Sequence, residues 1–565
     1  MPRRYGLFLF FAMCALFLIA NRGAYKGYFQ DDEIDNIQTM RRTPAVSFLT
    51  ALASPRFQPN NFRPAGHAYF RLMEAWSGLD FPKYVAVIHI IHFVNIWLVW
   101  LVARRLGLGL WPSAAAAVLF AFHMAAFDVY WKPMYVFDLL CAALSLASLL
   151  LYMRGRWLWS LAAFWLAYKA KELAVMLPLV LLLWEWSFGG KQWKRLIPFF
   201  GVSLLFGLQG VLLNPNVNND YTLRFTPAAI WTSLRYYAGQ ILLIPYAGFV
   251  LLLPAWLVRD RAVRFGLAAM ALFFVPLLFL PGRLFSAYCY LPLAGLALAG
   301  GALAARYHPA FAAAFLALWL PWNMAELRAR RRQALAIADE NRAYMSSVAE
   351  FARNSPVMIE SAVYSGAPAA FHRWGVEAAL RYFTRPDLPV CEIADPCPAE
   401  MLEARSMATF SWDPNLRRLL IARRVPGEPE ASYITMDRST PIWQLTSGWY
   451  PLENRFRWTR GVARARLERP AGAREFEVVV NAGPMQLRDL GRITLSVSLD
   501  GRSLGRREFV QPGHQTARWP LPEGKAGPVQ VEFRSDPEYR PAGDPRELGV
   551  AIVSFGFVAQ PVEGR

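Results

Sequence analysis

The chain has five cysteines in 565 residues, no internal repeat of fixed period, no long low-complexity tract and no glycine-rich nucleotide-binding loop. These absences argue against a disulfide-framed scaffold, a solenoid and a nucleotide-cradling fold. Cys14, Cys141 and Cys289 fall in apolar segments and read as packing residues. Cys391 and Cys397 lie together in the polar C-terminal part, and only that pair is placed to form a disulfide, outside the cytoplasm. Acidic residues are also scarce, 41 Asp and Glu against 60 Lys and Arg, for a net charge of +19. Much of that surplus sits in short loops between apolar runs, where cations orient helices and meet anionic headgroups, so no nucleic-acid partner is expected.

Apolar residues are abundant: 55% of the chain is hydrophobic and the mean hydropathy is +0.23. Runs of near bilayer-spanning length rule out a soluble domain over the first two thirds and predict a polytopic α-helical membrane protein. We expect about eleven spans, near 6–22, 84–103, 109–127, 134–153, 156–170, 172–189, 196–213, 233–257, 263–280, 286–305 and 309–323. With the N-terminus inside, Arg3/Arg4, Arg104/Arg105, Arg154/Arg156, Lys191/Lys194/Arg195, Arg259/Arg261/Arg264 and Arg306 all fall on the inner face, as the positive-inside rule asks. The long loop 23–83 and the C-terminal region are then extracytoplasmic. A bacterial-type inner-membrane location follows as the expectation.

Beyond residue 323 the pattern changes. Residues 324–353 read as a helix, PVMIESAVYSG and FHRWGVEAALRYF read as strand, loop and helix, and 324–407 is expected to form an α/β linker. From 408 to 565 the pattern is all-β. Ile493 to Leu499 alternates, Asp500-Gly501 supplies a hairpin turn, and further strands fall at 475–480, 528–534 and 548–558, which together predict a β-sandwich. Trp443, Trp449, Tyr450, Trp458 and Trp519 offer either sugar-stacking faces or core packing.

The densest chemistry is the cluster Asp31, Asp32, Glu33 and Asp35 just past the first span. Desolvated carboxylates are costly, so acids beside a membrane call for water access, a cation or a reaction. The same face carries Arg63 and His67, the turn Lys171-Glu172, and Arg283 ahead of Tyr288 and Tyr290. That set suits transfer of a sugar from a polyprenyl phosphate. A leaving phosphate needs cations, for which Arg63, Lys171 and Arg283 stand ready. The attacking hydroxyl needs a base, for which Asp32 is the choice, with Asp31 or Glu33 next. A lipid-linked donor also fits the lack of a nucleotide-binding loop. The bland readings are a solvated acidic loop, cations snorkelling to headgroups, and interface aromatics at Tyr288 and Tyr290. His89 and His92 share a helix face and read as interhelical hydrogen-bond partners rather than metal ligands.

The order of motifs over residues 5–325 resembles the GT-C superfamily of integral-membrane glycosyltransferases, nearest to the protein O-mannosyltransferases and the tetratricopeptide-type transmembrane mannosyltransferases. Asp31-Asp32 stands where those have a D-D pair, and Phe62-Arg63-Pro64 where they have Y-R-P. The segment Phe120 to Trp131 stands for F-x-x-H-P-x-x-x-E-x-V-x-W, keeping His123 but with Met124 for Pro and Asp128 for Glu. Ala170-Lys171-Glu172 with Pro178 stands for S-K-E-x-x-x-x-x-P, and Ser286 to Pro292 for E-R-Y-x-Y-L-P. Ala287 replaces the Arg of that last motif, and Arg283 lies one helical turn earlier. The resemblance implies a GT-C fold, a catalytic first-loop acid, a polyprenyl-phosphate sugar donor with mannose as the sugar, and no metal or cofactor. It implies donor-phosphate roles for Arg63, Lys171, Arg283, Tyr288 and Tyr290, and supporting roles for His67, His123, Asp128 and Glu172. Tetratricopeptide repeats are absent, so the C-terminal part lies outside the match. Segment 448–458 loosely resembles carbohydrate-binding jelly-roll modules. The acceptor is a hydroxyl on a protein or glycan. The alternatives are a transporter or flippase of lipid-linked sugars, with His89, His92, Asp138 and Glu185 along its path, or a membrane-anchored glycan-binding protein.

Overall fold

The computed structural model describes residues 3–56, 62–213, 219–355, 358–424, 429–558, without the side chains of Arg3, Arg4 and Asp31. The chain divides into two compact units, Met1–Ala338 and Asp339–Arg565. The division falls inside the helix Pro309–Asn354, which runs unbroken through Pro321. The separate linker helix expected over 324–353 is therefore the continuation of the last apolar helix.

The first unit is that of a multi-pass membrane protein. Among the described residues seven helices are long and apolar enough to cross a bilayer, and eight if the bent pair Leu110–Ala121 and Met124–Trp131 counts as one. Their lengths follow from composition: Phe81–Arg105 has 25 residues, begins with a proline in its first turn and ends on Arg104 and Arg105. The expected spans near 156–170, 172–189 and 233–257 are shorter or broken. Trp157–Ala170 has 14 residues and Leu177–Ser187 has 11, with Lys171 extended between them at φ −162, ψ 145. Pro178 lies in the first turn of Leu177–Ser187, where its missing N–H costs no helix hydrogen bond. Residues 227–257 break near Leu243 and Tyr246, both left-handed at φ 59 and φ 60.

The expected long loop 23–83 is helical over Asp31–Met40, Ala45–Ala53 and Pro64–Ser77. The acid cluster is thus the first turn of a helix, where negative charge meets the positive end of the macrodipole.

The second unit holds two sheets. In the first, β1 (Ser361–Ser365), β2 (Val390–Glu392) and β3 (Met407–Asp413) are parallel and β4 (Arg418–Arg424) is antiparallel, in the order β2-β1-β3-β4. Helix Arg373–Phe383 makes the crossover that parallel β1 and β2 require. β3 pairs with β1 and β4 with β3, so the α/β sheet runs to 424, past the boundary expected at 408. Cys391 and Cys397 are disulfide-bonded in this part, with Cα atoms 5.7 Å apart.

The second sheet contains β5 (Tyr433–Thr435), β6 (Ser447–Glu453), β7 (Phe456–Arg469), β8 (Glu475–Ala482), β9 (Ile493–Leu499), β10 (Arg502–Phe509), β11 (Gly513–Pro520), β12 (Gly527–Asp536) and β13 (Ala551–Val558). Its main path is β10-β9-β12-β7-β13-β8-β11, with β5 on β13 and β6 on β7. The two outermost strands, β10 and β11, are joined by residues 510–512 alone, so the sheet folds back on itself and encloses one core. Alternate residues of β7, β8 and β9 fill that core, as the period-2 pattern requires. The β9–β10 hairpin turns on Asp500 (φ 45) and Gly501 (φ 80), a primed turn that matches strand twist. Trp449 is wholly buried, stacked on Phe555 at 5.5 Å, and Trp519 and Trp443 are buried as well. Those three rings are core, which leaves Tyr450 and Trp458 as the partly exposed aromatics of the set.

Candidate active site

Local sequence delivers each cation to one place. Arg63 precedes Pro64, and a residue before proline is driven out of the helical region; it caps Pro64–Ser77 at φ −108, ψ 92. Lys171 is the extended break between two helices. Arg283 lies in the turn after Leu280, where Gly282 meets the backbone of Asp220: a Cβ there would come within 2.9 Å of the Asp220 Cα. That close approach lays Tyr221 against Arg283, ring centroid to guanidinium 4.3 Å.

Arg63, Lys171, Arg283 and Tyr288 line one cavity of about 280 Å³. Arg63 Nε donates to both carboxylate oxygens of Glu172, at 2.9 and 3.1 Å. Lys171 Nζ donates to both oxygens of Asp138, at 2.6 and 2.7 Å, and sits 4.2 Å from the Tyr288 ring centre. Arg283 differs from both. Among the described residues no carboxylate lies within ion-pair distance of it, its Nη2 donates to the Tyr288 hydroxyl at 3.4 Å, and its buried Nε has no partner. Burial lowers the Arg283 pKa, but the phenols of Tyr288 and Tyr221 and the carboxylate of Asp32 outweigh it and raise the value. For Arg63, burial is likewise outweighed by Glu172, and the net direction is up. Leu173, Val175, Phe206, Leu277 and Leu280 give the same cavity an apolar lining as well. Gly207 and Gly210, one turn apart on the helix Ile197–Leu212, keep that lining open; a Cβ on Gly210 would meet nothing within 4 Å.

The acids divide. Asp32 is exposed on the first turn of Asp31–Met40 and lies close enough to bias Arg283. The side chain of Asp31 lies outside the described residues. Glu33 is fully buried: Oε2 accepts from the Gln30 N–H at 2.5 Å and Oε1 from the Met134 N–H at 3.1 Å, closing a capping box. Burial pushes its carboxyl up to about 7. Glu33 thus holds the helix start rather than facing the cavity.

His67 buttresses the same corner. Its Nδ1 accepts from the Arg63 N–H at 2.8 Å, which leaves the proton on Nε2 to donate to Asn36 Oδ1 at 3.0 Å, and Asn36 in turn donates to the Asp32 carbonyl at 2.6 Å. Burial and the neighbouring Arg63 lower its pKa to about 4, so the ring is neutral. Gly66 makes room for Phe137 beneath Arg63 and His67; a Cβ there would come within 2.1 Å of the ring.

Three expected site residues lie elsewhere. The Tyr290 hydroxyl is fully buried, bonded to His92 Nδ1 at 2.6 Å and to Asn95 Nδ2 at 3.2 Å; one residue separates it from Tyr288, and on a helical turn that rotates it to the opposite side. His123 is buried with Nε2 on the Ile241 carbonyl at 2.5 Å and Nδ1 accepting from the Ala125 N–H. Asp128 pairs with Lys132 at 3.0 Å. His89 bonds the Tyr130 carbonyl and Tyr25, so both histidines are tied into helix contacts. Tyr221, which lines the cavity, and Asp138, which holds Lys171, are groups the site reading did not include. Asp138 lies in the first turn of the apolar helix Val136–Met153, where an acid is itself a signal; nothing in the sequence marks Tyr221. Among the described residues no cluster of three or more His, Cys, Asp and Glu side chains is placed to hold a metal.

No protein-family model matches this chain, and no curated protein matches it. Solved structures do. The chain is similar to the arabinofuranosyltransferase AftD from Mycobacteria, at 13% identity and TM-score 0.44, over 99% of this chain and 58% of that one. It is similar to ArnT from Cupriavidus metallidurans bound to undecaprenyl phosphate, at 13% identity and TM-score 0.45, over 75% of this chain and 99% of that one. The arabinosyltransferase EmbB from Mycobacterium smegmatis aligns at 12% identity and TM-score 0.38, over 97% of this chain and 64% of that one. The chain therefore spans 58% of the length of AftD.

Proposed function

We propose that the chain is a membrane glycosyltransferase of GT-C type that moves a sugar from a polyprenyl phosphate to an extracytoplasmic hydroxyl. The observation that carries this reading is one cavity lined both by Arg63, Lys171 and Arg283 and by apolar side chains. A phosphate on a long hydrocarbon needs both kinds of lining together.

In this reading the phosphate sits against Arg283, whose fork meets no carboxylate among the described residues, and Arg63 and Lys171 stand by as cations already oriented by Glu172 and Asp138. The bond between the sugar C1 and the phosphate oxygen breaks with its electron pair leaving on that oxygen, where the cations stabilise it. The acceptor hydroxyl attacks C1 from the opposite face and gives its proton to the Asp32 carboxylate, inverting the anomeric centre. Asp32 is exposed to an incoming acceptor. Glu33 is not, which leaves Asp32 ahead of it as base. The rival path through the bilayer lacks support: His89 and His92 are locked in hydrogen bonds, Asp138 is paired with Lys171, and Glu185 accepts from the Gln192 N–H at 3.0 Å.

Incubation of the purified protein with labelled polyprenyl-phosphate sugars tests the reading. We expect Asp32→Asn to lower turnover about 10²- to 10⁴-fold with polyprenyl-phosphate retention intact. Full turnover by that variant removes Asp32 from the mechanism. Mannose as the sugar rests on the motif resemblance alone and is read out in the same assay.

A further inference from the structure

Two other cavities in the membrane unit share walls. One, of about 590 Å³, is polar, with Arg235, Tyr236, Gln240, Tyr246, Glu326 and Arg330 around it. The other, of about 310 Å³, is apolar apart from His123 and Tyr307. The same two segments line both. On the helix Pro309–Asn354, Phe311, Phe315 and Trp319 face the apolar cavity, and Glu326 and Arg330 face the polar one. Trp319 and Glu326 are two helical turns apart, hence on one face and separated by roughly 10 Å. In the other segment, Leu242 and Leu251 line the apolar cavity, while Gln240, Leu243 and Tyr246 line the polar one. Leu243 and Tyr246 are the two left-handed residues of this segment, a conformation that side chains with a Cβ seldom adopt and that clusters at ligand sites. The result is a polar chamber at the end of an apolar groove, the outline of an amphiphile.

This chamber adjoins the donor cavity. Leu284 lines the polar chamber, and Arg283 and Tyr288 line the donor cavity, so segment 283–288 is their common wall. Its charge is also unspent. Arg330 donates to Glu326 and to the Met124 carbonyl, both at 2.9 Å, whereas the exposed Arg235 has no carboxylate within ion-pair distance among the described residues.

We propose that the polar chamber and its apolar groove form the acceptor site, and that the acceptor is a saccharide anchored to a lipid. The planar groups of Gln240, Glu326 and Arg235 match sugar hydroxyls, which both donate and accept, and the Tyr236 and Tyr246 rings match the apolar faces of a sugar. A soluble sugar or a peptide has no use for the groove beneath. The word acceptor rests on the transferase reading above; the site itself does not.

The test uses the full chain in nanodiscs, photolabelled with a diazirine-bearing dodecyl maltoside, with labelled peptides mapped by mass spectrometry. Label is expected to concentrate on 242–251 and 311–319 and to fall about fivefold or more in Ala312→Trp, which fills the groove, and in Arg235→Ala, a surface change that folding tolerates. Unlabelled dodecyl maltoside competes; maltose does not. Label spread evenly over lipid-facing helices such as Trp193–Leu212 overturns the proposal, as does equal competition by dodecylphosphocholine, which marks an ordinary lipid groove. A peptide that displaces the label as well as the glycoside also overturns it. Retention of farnesyl phosphate in the same samples follows the donor cavity separately: loss in Arg283→Ala and retention in Ala312→Trp keep the two readings apart, and failure of either readout alone identifies which one falls.

Discussion

Replacing Arg283 by alanine probes the donor cavity where it has least redundancy. Arg63 and Lys171 each hold a carboxylate, Glu172 and Asp138, so much of their charge is met before any ligand arrives. Arg283 keeps its charge for the ligand, and its fork can place two charge-assisted hydrogen bonds on a phosphate. At about 1.5–3 kcal/mol each, and allowing for overlap with the two neighbouring cations, the loss in transition-state stabilisation is roughly 3–4 kcal/mol. That corresponds to about 10²- to 10³-fold in kcat/KM. Folding loses little, because no carboxylate is left stranded; the contacts given up are the 3.4 Å hydrogen bond to Tyr288 and stacking on Tyr221 and Phe285. Arg283→Lys retains the charge and loses the fork, and falls between, at about tenfold. Initial rates with a short-chain polyprenyl-phosphate sugar, with Tm in detergent as control, give the answer. Arg283→Ala within threefold of wild-type kcat/KM, at unchanged Tm, refutes the assignment of Arg283 to the donor phosphate (about 0.7 kcal/mol).

Further outcomes follow from the same geometry. Lys171→Met strands the buried Asp138 carboxylate and is expected to cost about 3–5 kcal/mol of stability, whereas Lys171→Met with Asp138→Leu recovers Tm without recovering turnover; a double variant as unstable as the single one removes the ion pair from the account. The corner around Asp32 holds two opposed titrations. His67, depressed to about 4, supplies stability that is full above its unfolded pKa and lost as pH falls, while Glu33, raised to about 7, supplies stability that is full below its unfolded pKa and lost as pH rises. Between pH 4.5 and 6.5 the two slopes oppose each other, so Glu33→Gln is expected to make Tm fall more steeply on acidification than in the wild type. An unchanged slope counts against the enclosed Glu33. In the C-terminal unit, Trp449→Ala is expected to cost about 3–5 kcal/mol, read as loss of the near-ultraviolet signal of the β domain; a folded variant with altered glycan binding instead would put that ring on the surface.

How much of this was legible beforehand varies by residue, and the reason is physical. Arg63 and Lys171 stood out by their charge and motif positions; their backbone settings, Arg63 extended before Pro64 and Lys171 extended between two helices, came from the structure. Arg283 was readable as the nearest cation to a motif lacking its arginine. Tyr290 lies away from the cavity because two positions along a helical turn reverse a side chain, and only the neighbours His92 and Asn95 decide which side is the interior. The burial of Glu33 was not legible for a like reason, since a capping box and an exposed acidic turn carry the same residues.

By itself the sequence determined what local energetics dictates. Apolar length demanded a membrane unit, and period-2 alternation with Asp500-Gly501 demanded a hairpin sheet. Only the tertiary structure decided which charges meet. Arg63 and Glu172 are 109 positions apart and Lys171 and Asp138 are 33 apart. No spacing rule spans such distances; helix packing chooses the partners, and with them which cation, Arg283, has no carboxylate within ion-pair distance among the described residues and lines the cavity.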